Sequence, residues 1–153
     1  MADAVTSQTI GDEVGAKNIL VKITNISDGT GESAVAKVDV SALAKDSNGE
    51  SCSRVAVQEI YYDIFGMRVD LLWNASSNVI CKVLGANGAL SSQGYMDFRD
   101  FGGITNNAGS GINGDLLLTT TGHTSGDHYT IILNLSKTYQ DKLWHHLALV
   151  HLH

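Results

Sequence analysis

Gly109, Gly111 and Gly114 satisfy the spacing G-x-G-x-x-G. That spacing cradles a pyrophosphate when it closes a strand-to-helix turn whose helix N-terminus faces the phosphate. Here Asp115-Leu-Leu-Leu-Thr-Thr-Thr follows, which reads as a strand, so the glycines mark a flexible loop and not a dinucleotide site. Asp100-Phe101-Gly102 spells the metal-binding triplet of kinases, but the lysine and catalytic-loop motifs that give it meaning are missing. Asp97, Arg99 and Asp100 read instead as local charge pairs on a strand edge. Asp46, Asn48 and Glu50 alternate like calcium ligands, yet Ser51 stands where the loop needs glycine and Val57 where it needs an acid. Asn48-Gly49 is a hairpin signal, and a turn is the better reading. A glycosidase needs two carboxylates at a fixed separation, and nothing in the sequence singles out one acid as buried. No G-x-S-x-G elbow and no H-E-x-x-H occurs. The expectation is no catalytic residue and no cofactor.

Cys52 and Cys81 are too few for a disulfide framework and read as two buried thiols. Of six histidines, His145, His146, His151 and His153 crowd the C-terminus, while His123 and His128 flank the last expected hairpin turn. No Cys, Asp or Glu at ligand spacing fixes a geometry there, so the cluster reads as polar cover on an exposed helix and no metal site is expected.

The elements that must position any working residues are strands. The chain has 153 residues, enough for one domain, with 43% hydrophobic and 17% charged residues. Ten Lys and Arg against 16 Asp and Glu give a net charge of -6 with no basic block, which argues against a phosphate-dominated nucleic-acid binder. No apolar run reaches the roughly 18 residues of a membrane span, and the opening residues do not read as a signal peptide. Sixteen Gly and no Pro mean that turns are made by Gly, Asn, Asp and Ser.

Alternating, β-branched runs predict strands over 18–26, 34–43, 53–64, 67–73, 79–84, 95–101, 115–121 and 128–135, the last two paired around the GHTSGD turn. In the third run Val55, Val57, Glu59 and Tyr61 fall on one face and Ala56, Gln58, Ile60 and Tyr62 on the other. About eight short strands at this spacing give an all-β fold, an antiparallel β-sandwich or jelly-roll-like body over residues 18–137. Residues 1–17 are small and polar and read as an extended arm ordered against a partner. Over 138–153, Tyr139, Leu143, Leu147 and Val150 recur at helical spacing, which predicts a short amphipathic helix or tail.

The stretches QEIYYDIFGMRVDLLWNAS (58–76) and YMDFRDFGGITNNAGSGINGDLLLTTTG (95–122), continued by YTIILNLSK, resemble a family of small, mostly uncharacterised proteins. These are encoded beside structural genes in marine tailed phages, cyanophages among them. The resemblance runs from Gln58 to Lys137, and the segment after Lys137 departs from it. It implies a virion component assembled in the host cytoplasm, and it carries over no catalytic residue.

A capsid decoration (cement) protein clamping the major capsid protein is the first expectation. Such a protein contacts other virion proteins as a homo-oligomer or in many copies on a symmetric particle, with no nucleic-acid or membrane partner. The large side chains available as contacts are Tyr61, Tyr62, Phe65, Trp73, Tyr95, Phe98 and Phe101. The alternative is a glycan-binding module of a tail or fibre, with the 103–115 loop, Tyr95 and Trp73 as platform. A hydrolase has least support, because no nucleophile–base pair is recognisable.

Overall fold

The computed structural model describes residues 3–85, 90–109 and 113–139. Among them, nine strands follow one another: β1 (Ala4–Ile10), β2 (Asn18–Ile26), β3 (Val35–Val38), β4 (Cys52–Phe65), β5 (Arg68–Trp73), β6 (Val79–Gly85), β7 (Ser91–Asp97), β8 (Leu116–Thr121) and β9 (His128–Tyr139). They form two antiparallel sheets, a larger one in the order β1-β2-β9-β4-β7 and a smaller one in the order β3-β8-β5-β6. The fold is the all-β sandwich that the alternation predicts. None of the helices described is long and apolar enough to cross a membrane.

The core lies between the sheets. The larger sheet contributes Ile19, Val21, Ile23, Val57, Ile60, Ile64, Ile131, Leu133 and Leu135, and the smaller one Val69, Leu71, Trp73, Leu116 and Leu118, all buried. Within each strand these residues keep the two-residue period that puts successive side chains on opposite faces, except for one shift between Val57 and Ile60 on β4.

The path of the chain differs from the expected one where tertiary pairing overrides local pattern. The strand expected over 34–43 stops at Val38, because the Asp39 carboxylate accepts from the Ser41 N–H and starts the 3-10 turn Val40–Ala42. The strand expected over 95–101 runs from Ser91 to Asp97 and then coils into the 3-10 turn Arg99–Phe101. Its polar start, Ser91 to Gly94, read as loop but pairs in register with β4.

Asn48-Gly49 sits in a turn whose Asp46 carboxylate accepts from the N–H groups of Asn48 and Glu50 at 2.9 and 2.8 Å. It closes no hairpin, since β3 and β4 lie in different sheets. The same correction applies to β8 and β9. The GHTSGD segment carries the chain from the smaller sheet to the larger one and does not pair its flanking strands.

The chain ends also differ. Residues 4–10, expected as an arm that orders against a partner, pair with β2 of the same chain over seven residues. At the other end β9 continues past Lys137 to Tyr139, whose hydroxyl donates to the Ala16 carbonyl. Tyr139, expected on a helix, is therefore a strand residue. The rest of that expected helix, with His145, His146, His151 and His153, lies outside the described residues.

A bulge in β4 resets its faces. Val57 pairs with Leu135 and Glu59 with Asn134, leaving Gln58 as an extra residue. Val55 and Val57 point inward before the bulge and Ile60 and Ile64 after it, so Glu59 and Tyr61 face out. Strict alternation would place Glu59 and Tyr61 with the two valines. The Gln58 amide donates to the Gly102 carbonyl and the Ser136 hydroxyl, at 3.1 and 2.8 Å, which fixes the bulge to its neighbours.

The G-x-G-x-x-G letters have a packing role at their last position. Gly114 has φ +88°, and a Cβ there would stand 2.1 Å from the Ser53 carbonyl oxygen. Only glycine combines that left-handed backbone with that approach. The segment leads into β8, a strand, which is the context that excludes a phosphate cradle.

Both thiols are free, with Cys52 buried and Cys81 half-buried. Burial pushes the Cys52 thiol up and that of Cys81 up to about 12. Neither is a thiolate near neutral pH. Ellman's reagent at pH 7.5 is therefore expected to label the folded protein at least about 100-fold more slowly than the protein in guanidinium.

Candidate functional site

The outer face of the larger sheet is built by register. Reading across the strands, one row is Gln8, Lys22, Ile132, Tyr61 and Tyr95, and the next is Ile10, Leu20, Asn134, Glu59 and Asp97. On the other side of the tyrosine row lie Thr6, Thr24, Thr130, Asp63 and Gln93, then Ala4, Ile26, His128, Phe65 and Ser91. The face is thus a mixed surface with an apolar and aromatic centre and with polar groups interspersed.

Tyr61 and Tyr95 are directly opposite across β4 and β7, their rings stacked with centroids 4.4 Å apart and each residue 46% exposed. Tyr95 is anchored at its tip. The Tyr95 hydroxyl donates to Glu59 Oε2, and the Asn134 amide donates to Glu59 Oε1 at 2.7 Å. Arg99 reaches the same carboxylate at 3.8 Å and pairs with Asp97 at 2.8 Å. The bulge at Gln58 is what puts Glu59 on the same face as the tyrosines, one row along.

These contacts set the charge state. The Tyr95 hydroxyl, and after it the Asn134 amide, hold the Glu59 carboxyl below the ordinary carboxylate range. Donation to Glu59 pushes the Tyr95 phenol well up, so it stays a donor. Hydrogen bonds from Arg99 hold the Asp97 carboxyl at about 2. Two acids that face each other across β4 and β7 are thus both ionised at neutral pH. A glycosidase needs one of its pair protonated, so this pair does not serve that chemistry.

Beside Tyr61 the face opens into a shallow groove of about 680 Å³, lined by Ile10, Leu20, Ile132, Asn134, Glu59 and Tyr61 among others. On the far side of Tyr61 lies a second hollow of about 430 Å³, between Asp63, Gln93 and Thr130. Tyr61 therefore stands as a ridge between two depressions.

The seven large side chains expected as contacts divide three ways. Tyr61, Tyr95 and Phe65 share the outer face, Phe65 stacking on His128 with ring centroids 5.7 Å apart. Phe98 and Phe101 meet edge to face at 5.9 Å on the 3-10 turn after β7, Phe98 packed against the core and Phe101 69% exposed. The other two turn inward. Tyr62 lies over Gly94, where a Cβ would stand 2.8 Å from its hydroxyl oxygen. Trp73 is fully buried and belongs to the core. Trp73 therefore offers no surface to a partner or a sugar.

Sequence reasoning missed Glu59, Asn134, Ile132, Leu20 and Ile10 as members of this face. They come from four strands, and only the sheet order brings them together. Among the described residues no three His, Cys, Asp or Glu side chains gather where they could hold a metal ion. The chain matches no family model, no curated protein and no solved structure among those compared with it.

Proposed function

We propose that this protein is a non-enzymatic docking module, a capsid decoration protein of a tailed phage that stabilises the head by seating the outer face of its larger sheet on the major capsid protein. The observation that carries this reading is the stacked Tyr61–Tyr95 pair, half exposed and braced by Glu59. An aromatic group already held in one orientation loses little freedom on binding and brings a large contact area. The resemblance of residues 58–137 to small phage proteins supports the choice of a virion as setting.

The test is to mix purified protein with undecorated capsids and follow occupancy. Wild type is expected to bind stoichiometrically, and the double substitution Tyr61→Ala, Tyr95→Ala to weaken binding at least about 30-fold, the scale of one hot-spot residue lost. Absence of saturable binding by the wild type would remove the decoration role. Binding unaffected by the double substitution would move the contact to another surface.

A second reading has a specific observation behind it. The free face of Tyr61 fronts a groove holding Asn134 and Glu59, the mixture of ring and polar groups with which a tail or fibre module grips a sugar. A glycan array probed with and without calcium separates the two: signal lost on Tyr61→Ala favours the sugar, and silence favours the capsid.

A further inference from the structure

A sheet edge is a row of unpaired backbone groups ready to pair with another strand, and most proteins blunt it. Among the described residues, three of the four sheet edges are blunted. β3 has four residues, and its Lys37 is bulged out of register and turned inward to an ion pair with Glu32. β6 is interrupted by the extra residue Cys81 and carries Lys82. β7 contains Gly94 and ends at Asp97.

The fourth edge, β1, has no such device. Its seven residues, Ala-Val-Thr-Ser-Gln-Thr-Ile, include no charge, no glycine and no proline, and all seven are exposed. Its register with β2 is unbroken from Ala4 to Ile10, so the strand is regular along its whole length. The acids that bracket it are engaged within the chain. Asp3 accepts from the Asn25 amide and from the N–H groups of Asp28 and Gly31, while Asp12 pairs with Lys137 at 2.9 Å. A chain of net charge -6 thus presents one uncharged strand at an open edge.

We infer that this edge pairs with a second copy of the same chain, β1 against β1 antiparallel, about a two-fold axis at Ser7. A two-fold normal to the sheet keeps both outer faces on one side, which requires even-numbered residues to meet even-numbered ones. Centring on Ser7 satisfies this and uses the whole strand: Ala4 meets Ile10 of the second copy, Val5 meets Thr9, Thr6 meets Gln8, and Ser7 meets Ser7. No pair sets like charges opposite each other. On the outer face Leu20 and Ile10 then continue into Ala4 and Ile26 of the second copy. This joins Ile10 and Ile26, 44% and 61% exposed in one chain, into an apolar stripe that occurs twice. The two five-stranded sheets become one sheet of ten, with both Tyr61–Tyr95 pairs on the same side. The even-numbered residues of β1 belong to the docking face, but Ser7, in register with the inward-facing Ile23, lies on the other side of the sheet, so substitutions at Ser7 and at the Tyr61–Tyr95 pair test dimerisation and docking separately.

Sedimentation equilibrium from about 1 to about 500 μM tests this, and a monomer–dimer equilibrium with a midpoint of about 1–100 μM is expected. Ser7→Lys sets two ammonium groups against each other at the axis and is expected to raise the dissociation constant at least about tenfold, with an unchanged melting temperature showing that the exposed site leaves the fold intact. Ser7→Cys is expected to give a covalent dimer of twice 16.3 kDa under mild oxidation, while wild type, whose buried Cys52 and half-buried Cys81 lie on β4 and β6 and not on β1, gives none. A chain that stays monomeric throughout, or a dimer that Ser7→Lys leaves intact and Ser7→Cys fails to cross-link, would overturn the inference.

Discussion

Trp73→Ala is expected to lower the unfolding free energy by about 3–5 kcal/mol, measured by urea titration with circular dichroism. Trp73 is the largest of the side chains that are completely buried, at the end of β5 on the face turned to the larger sheet. Its backbone neighbours are Val79 of β6 and Leu116 of β8, so strands flank it on both sides. Such walls relax only partly, and the cavity left behind adds to the lost transfer free energy. The loss is a large part of the roughly 5–15 kcal/mol that holds a domain folded. Its indole Nε1 has no hydrogen-bond partner among the described residues. Trp73→Phe, which removes that unpaired donor and keeps most of the apolar volume, is accordingly expected to recover most of the loss. A cost below about 1 kcal/mol for the alanine variant would place Trp73 outside the core and restore it as a contact residue.

The second large effect is at Lys137. Its side chain is fully buried, and the ammonium donates to Asp12 Oδ1 and to the Ala44 carbonyl, each at 2.9 Å, 5.0 Å from the centre of the Tyr139 ring. One cation thus ties the β1–β2 connection and the segment after the Val40–Ala42 turn to the end of β9. Burial works against its charge, but the Tyr139 hydroxyl and the Asp12 carboxylate outweigh it and leave the pKa above its ordinary 10.5. A raised cationic pKa contributes stability that is complete below the unfolded value and lost only as pH rises through the folded one, so the pair contributes fully at neutral pH.

Removing the two partners is expected to have unequal results. Asp12→Ala strands the buried ammonium and also frees the Ala44 N–H, which donates to the same carboxylate at 3.0 Å. That variant should lose about 3–5 kcal/mol. Lys137→Met keeps the packed stem and leaves behind a carboxylate that is 18% exposed, for a loss of about 1–3 kcal/mol. Denaturant titration of both variants checks the order, and equal losses would mean that water reaches the ammonium.

How far the sequence reaches is clearest in β4. The letters SRVAVQEIYYDI announce a strand unmistakably, because β-branched and aromatic residues alternate there. They do not announce the bulge, since Gln58 is stabilised by Gly102 and Ser136, which arrive from distant parts of the chain. One extra residue turns Glu59 and Tyr61 outward and creates the braced aromatic pair. Trp73 shows the converse. A tryptophan in an alternating run reads equally well as an anchor or as core, and only the placement of the opposing sheet decides.

The N-terminal segment gives a third case. Small polar residues carry no strong strand signal, yet Ala4 to Ile10 pairs throughout with β2 because that neighbour offers an unoccupied ladder. The last described residues behave similarly. Tyr139 fits a helical period, but its phenol finds the Ala16 carbonyl and β9 runs on.

From the order of residues alone came the β character, the approximate placement of eight of the nine described strands, the rejection of the nucleotide and kinase patterns, and two thiols without a disulfide. All of these rest on local facts: side-chain period, turn chemistry and the element that follows a motif. Sheet membership, the bulge that re-aims Glu59 and Tyr61, the burial of Trp73 and the open, uncharged edge of β1 were settled by the assembled sandwich. Each depends on which strand lies beside which, and partners more than a hundred residues apart, such as Asp12 and Lys137, leave no imprint on the residues around either one.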